Sequence, residues 1–222
     1  MNIWIITILV MVASFIVQNV LQSRISKYSE VYTNLTGAEV AQRMLAENGI
    51  HDVAITCIPG TLTDHYNPET KTVNLSEGVY GGRNIAAAAI AAHECGHVIQ
   101  HVTGYGPLKL RSAAVPIVSF ANRSVQWIIL LGVLVLQITP ALLWFGIALF
   151  AMTTAFSLIT LPVEINASSR AINWLTANGV ADDQTRPLAI DALKWAAYTY
   201  VVAAIGSLAT LFYYICLAQR RN

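Results

Sequence analysis

Residues 121–160 read ANRSVQWIILLGVLVLQITPALLWFGIALFAMTTAFSLIT, forty residues with one charge, Arg123, at their beginning. A helix needs about 20 apolar residues to cross a hydrocarbon core of about 30 Å, so this stretch is two spans long. Thr139-Pro140 stands near its middle, and proline disfavours helical geometry in the residue before it. The stretch therefore predicts a helical hairpin, 121–138 and 141–160, with a minimal turn and Arg123 snorkelling to the interface. The composition of the whole 222-residue chain agrees: 55% of the residues are apolar and 11% are charged, against about 25% charged in an ordinary soluble domain. Disorder and a plain soluble globule are excluded. A net charge of +1 leaves no basic excess for a phosphate backbone, so nucleic acid is not an expected partner.

Two further uncharged runs, 3–20 and 196–217, bring the expected spans to four. The first is followed by Arg24 and Lys27, and the last ends in Gln219-Arg220-Arg221. Four spans put both termini on one side of the bilayer and both polar regions, 22–110 and 161–195, on the other. Arg24, Lys27, Lys109, Arg111 and Lys194 lie close to span ends on that second face, which the positive-inside rule makes cytoplasmic. Cys57, Cys95 and Cys216 are an odd number without a CxxC pair, which argues against a disulfide framework and against a cysteine zinc site.

In the first polar region, residues 36–48 predict a helix with Thr36 as N-cap, Glu39 at the capping-box position and Asn48-Gly49 as the stop. Residues 50–58 alternate as a short strand does. Residues 61–66 and 71–76 predict a β-hairpin around Asn67-Pro68, and 84–101 an alanine-rich helix. The expected architecture is a mainly α integral membrane protein with four transmembrane helices and a small α+β domain carrying a short β-hairpin. We expect the whole chain, 1–222, to form a single membrane-embedded domain, its chemistry carried by 36–110 and 161–195.

Inside the alanine-rich helix stands His93-Glu94-Cys95-Gly96-His97, an HExxH sequence. Residues four apart share a helix face, so His93 and His97 can offer two imidazole nitrogens to one Zn²⁺ while Glu94 reaches the water to be activated. A catalytic zinc needs a third protein ligand. His101 lies about 12 Å from His93 along the axis, too far to share its ion. Gln100 and Thr103 occupy the Gly and third-His positions of the metzincin pattern, so that spacing fails too. Among the seven glutamates, Glu164 follows the third span in Leu161-Pro-Val-Glu164, on the same face of the membrane as the HExxH helix. It is the expected third ligand, at the start of a new helix after Pro162.

Leu62-Thr-Asp-His-Tyr-Asn-Pro68, Val73-Asn-Leu-Ser76, His93-Glu-Cys-Gly-His-Val-Ile-Gln100, Gly104-Tyr105, Leu161-Pro-Val-Glu164 and Thr199-Tyr200 follow one another across most of the chain. In order and spacing they resemble the membrane zinc metallopeptidases of the YugP type. The resemblance implies a gluzincin-like peptidase domain interrupted by transmembrane helices. Asn67 and Asn166 stand where such proteins have Asp. The gluzincin pattern also has an Asp four residues after the ligand Glu to orient a ligand histidine, and here that position is Ser168.

The expected function is an integral membrane zinc-dependent endopeptidase with one Zn²⁺ per chain. His93, His97 and Glu164 would hold the ion, with Glu94 as general base and acid. The competing reading is a non-catalytic membrane scaffold or adaptor with a structural zinc site, which would have no use for Glu94. Val73, Asn74 and Leu75 are a candidate edge strand for an extended substrate. His65, Tyr66, Arg170 and Tyr200 are candidate donors to the oxyanion, and Ser168 a candidate orienting residue. Expected partners are the lipid bilayer and a peptide or membrane-protein substrate, with a membrane-protein partner or a second copy of the chain left open. The expected location is a bacterial-type plasma membrane, with the active site facing the cytoplasm.

Overall fold

A computed structural model describes residues 3–219. The elements are α1 (Ile3–Tyr28), α2 (Gly37–Glu47), β1 (Ala54–Ile58), β2 (His65–Asn67), β3 (Thr72–Ser76), α3 (Glu77–Tyr80), α4 (Ile85–Val102), α5 (Gly106–Leu134), α6 (Ala141–Ala177) and α7 (Arg186–Gln219). Four of them, α1, α5, α6 and α7, are long and apolar enough to cross a membrane, so the fold is the expected four-span helical protein with a small α+β part. Arg220 and Arg221, which follow the last apolar run, lie outside the described residues.

The chain divides into two compact units. One takes its described residues from Met1–Ile16, Lys109–Pro162 and Thr199–Asn222. Its core holds Ala121, Val125, Ile129, Leu143, Ile147 and Ala218. A Cβ on Gly132 would stand 2.8 Å from the backbone nitrogen of Leu143, so α5 and α6 touch there at backbone distance. The other unit comprises Val17–Leu108 and Val163–Tyr198. In it α4 packs against α2, α3, β2 and β3, and the alanines between Ala86 and Ala92, apart from partly buried Ile90, are its inward surface.

α1 continues to Tyr28 instead of 20 and α7 begins at Arg186 instead of 196, and three further differences from the expected helices have identifiable causes. α5 starts at Gly106 rather than 121, because Gly104 turns the chain with φ of 66° and Pro107 suits a first helical turn. α5 ends at Leu134, and residues 135–140 form a longer connection than a minimal turn, with the Thr139 hydroxyl accepting from the Ala141 N–H. The new helix expected after Pro162 does not exist: α6 runs unbroken through Pro162 to Ala177. An interior proline costs about 3 kcal/mol. Complete burial of Val163, Ala167, Ala171 and Leu175 beyond it offsets that, since one fully buried aliphatic side chain recovers about 1.5–3 kcal/mol.

α2 carries the capping box as expected, with Thr36 and Glu39 each accepting from the other's backbone N–H. The hairpin also forms, but β3 pairs on both sides: antiparallel with β2 and parallel with β1, in the order β1-β3-β2. Val73, Asn74 and Leu75 are thus in the central strand, and the expectation that they form an edge is wrong. Val73 and Leu75 are fully buried, and burying them against α4 requires neighbours on both flanks.

Candidate metal centre

His93 and His97 sit one turn apart on α4, and their Nε2 atoms lie 3.2 Å from each other. Glu164 reaches in from α6, its Oε2 being 3.3 Å from His93 Nε2 and 3.6 Å from His97 Nε2. All three donor atoms lie within 4.8 Å of one another. Two imidazoles and one carboxylate are the ligand set of a catalytic zinc with an open fourth position, and an all-oxygen set suited to magnesium or calcium is not what is assembled.

Both outer imidazole nitrogens are also engaged. His93 Nδ1 lies 3.1 Å from Ser168 Oγ, and His97 Nδ1 lies 3.1 Å from Gln100 Oε1. At the position where the expected pattern has an orienting Asp, Ser168 contacts His93 with a neutral hydroxyl. Burial works against a charged His97, but hydrogen bonding to Glu164 and the charges of Glu94 and Glu164 raise its pKa above the ordinary histidine value. Burial pushes the Cys95 thiol well up, with Glu94 adding to the effect; a buried thiol of this kind is a core residue.

Glu94 is not one of the three clustered donors. Its Oε2 accepts a hydrogen bond of 3.1 Å from the backbone N–H of Tyr66 on β2. Since that N–H faces Glu94, it faces away from β3, and Tyr66 presents its backbone along the free edge of the sheet. The Tyr66 hydroxyl lies 2.9 Å from Nδ1 of His101, one turn beyond His97 on α4.

The other candidates are placed as follows. His65 spends both ring nitrogens within the hairpin: Nδ1 on Thr63 O at 2.8 Å and Nε2 on Asn74 Nδ2 at 3.2 Å. Arg170 donates from Nε to Asn166 Oδ1 at 2.8 Å, one turn back along α6 with Ser168 between them. Tyr200 lies on α7 in the other unit. Sequence reasoning missed three participants: Gln100, the backbone of Tyr66, and Gly96. At Gly96 a Cβ would meet Ala167 O at 2.7 Å, so only glycine lets α4 and α6 close on the site. A glycine interrupting an alanine-rich helix, at a cost of about 1 kcal/mol, was the available signal.

Comparison with known proteins agrees with the geometry. A family profile described as "putative neutral zinc metallopeptidase" matches residues 3–219. The "Putative membrane protease YugP" of Bacillus subtilis (strain 168) is 42% identical over 214 residues, covering 96% of this chain and 94% of that one. No solved structure matches the chain. Matched over the whole span of its described residues and by a relative of nearly equal length, the chain belongs to this family of zinc metallopeptidases.

Proposed function

We propose that this protein is an integral membrane zinc-dependent endopeptidase that works as one membrane-embedded domain with one zinc ion per chain. His93 Nε2, His97 Nε2 and the Glu164 carboxylate hold the ion. Zinc bound there supplies Lewis-acid chemistry, lowering the pKa of water and polarising a carbonyl. Glu94 takes the proton of the attacking water and returns it to the leaving amine nitrogen. The observation that carries this reading is that Glu94 is not among the clustered donors: its carboxylate accepts from Tyr66 N–H, while Glu164 offers the third donor. A structural zinc site has no role for such a carboxylate. Purified Glu94→Gln should be folded and zinc-loaded, with cleavage lowered by about 10² to 10⁴-fold. Equal cleavage by variant and wild type would sink the assignment.

The substrate edge is β2 in place of β3. A peptide laid antiparallel along β2 would donate an N–H to the outward carbonyl of Tyr66, next to the Tyr66 N–H that holds Glu94. A substrate peptide N-methylated at the amide that would donate to the Tyr66 carbonyl should then show a raised KM; an unchanged KM would exclude pairing there. The substrate class follows from α6. No charge precedes Glu164 from Ala141 onward, and Glu164 lies about 35 Å along the axis from Ala141, against a hydrocarbon thickness of about 30 Å. The carboxylate is therefore at the hydrocarbon border, and the scissile bonds are those of membrane proteins close to the bilayer surface. Arg24, Lys27, Lys109, Arg111 and Lys194 support a site on the cytoplasmic side of a bacterial-type plasma membrane.

A further inference from the structure

Gln100 is an uncharged polar side chain with 0% exposure, and both ends of its amide are used. Nε2 donates to the backbone carbonyl of Val163 at 2.8 Å and to Asn166 Oδ1 at 3.0 Å. Oε1 lies 3.1 Å from His97 Nδ1. A peptide carbonyl can only accept a hydrogen bond, so the NH₂ group must face Val163 and the amide oxygen must face His97. An amide oxygen also only accepts, so His97 carries its proton on Nδ1. The lone pair of His97 is thereby left on Nε2, the atom that faces His93 and Glu164. The hydroxyl of Ser168, which can donate or accept, makes no such selection for His93.

Val163 is the residue before Glu164, and Asn166 is two residues after it. Gln100 therefore grips the turn of α6 that presents the third carboxylate while it orients an imidazole of α4. Asn166 uses only its Oδ1 in this chain of bonds, accepting from Gln100 and from Arg170.

We propose that Gln100 is the positioning residue of the zinc site, selecting the ligating tautomer of His97 and holding Glu164 in register with α4. The proposal rests on the reading of His93, His97 and Glu164 as zinc ligands. Outer partners of ligand histidines typically change metal affinity by about 10 to 100-fold.

The test uses the full-length protein in detergent micelles, with Zn²⁺ affinity measured by competition against a chromophoric chelator. Gln100→Met keeps the length of the side chain and removes its polar atoms. Gln100→Asn keeps the amide but is one methylene too short to span the two helices, and it carries the comparison where Gln100→Met does not fold. Gln100→Glu keeps an acceptor for His97 and lacks the amide donor. We expect the folded Met or Asn variant to bind Zn²⁺ at least tenfold more weakly than wild type, with Gln100→Glu between them. A merely structural role would lower the thermal stability of the metal-free protein and leave affinity untouched, and affinity within threefold of wild type in a folded Met or Asn variant would overturn the proposal. A wild type that binds no Zn²⁺ would instead overturn the metal reading on which it rests.

Discussion

Gly96 and His97, neighbours in sequence, control the centre in different ways. Gly96 is a packing residue: the nearest atoms to a Cβ there are Ala167 O at 2.7 Å and Ala167 Cα at 3.0 Å, both backbone. Gly96→Ala should force α4 and α6 apart, costing about 1–3 kcal/mol and weakening metal binding. Thermal unfolding with and without Zn²⁺ checks this, and an unchanged midpoint in both states would disprove it. His97 is an electrostatic residue whose pKa is raised in the metal-free fold, with burial opposed by Glu164 and Glu94. A raised folded pKa stabilises the metal-free protein below the unfolded value of about 6.5, and that stability is lost as pH rises through the folded value. Zinc competes for the same nitrogen, so its affinity should rise over the same window. The stability gap between zinc-loaded and metal-free protein should therefore widen from about pH 5 to pH 8; a constant gap would show that His97 does not titrate there.

Among the elements, α2 and α6 obey local rules to different degrees. α2 is delimited by its own sequence: Thr36 and Glu39 close the capping box, and Gly49, with φ of 70°, ends the helix. Thr36→Ala should cost about 1 kcal/mol, read as a lower unfolding midpoint with zinc stoichiometry unchanged. α6 overrides its local rule at Pro162, because tertiary burial beyond the proline outweighs the lost backbone hydrogen bond. In the membrane-spanning unit, the close approach of Gly132 to the Leu143 backbone limits that position to glycine. Gly132→Leu should reduce the yield of folded protein from detergent far more than an exposed change such as Leu134→Ala.

For the molecule as a whole, the testable quantities are sidedness and depth. In intact cells, single cysteines introduced near Glu69 and after Asn222 should respond oppositely to an impermeant reagent, with the residue-69 position protected. Labelling at residue 69 alone would reverse the orientation. Depth follows from Glu164 at the end of an uncharged stretch of α6. A series of membrane-anchored substrates with growing spacers between span and scissile bond should be cleaved best at the shortest spacers and progressively less beyond about 15 Å, roughly ten helical residues. Equal rates at all spacers would exclude a site restricted to the bilayer surface.

Periodicity, caps and motif spacing are local properties, and they were legible. Uncharged runs of span length read as four apolar helices, Thr36 and Glu39 marked the start of α2, and the four-residue spacing of His93 and His97 placed both on one face of α4. Glu164 was reachable because few glutamates existed and one followed a span. Strand order was not legible, since β3 becomes central only when β1, eighteen residues earlier in register, returns to pair with it. Nor was the continuity of α6 through Pro162, which depends on what Val163 and Ala167 pack against. The hydrogen bonds from Gln100 to Val163 and Asn166, 63 and 66 residues away, and from Tyr66 to Glu94 across 28 residues have no local signature. Each arises where two distant backbones approach within hydrogen-bonding distance, and only the packed tertiary structure brings those backbones together.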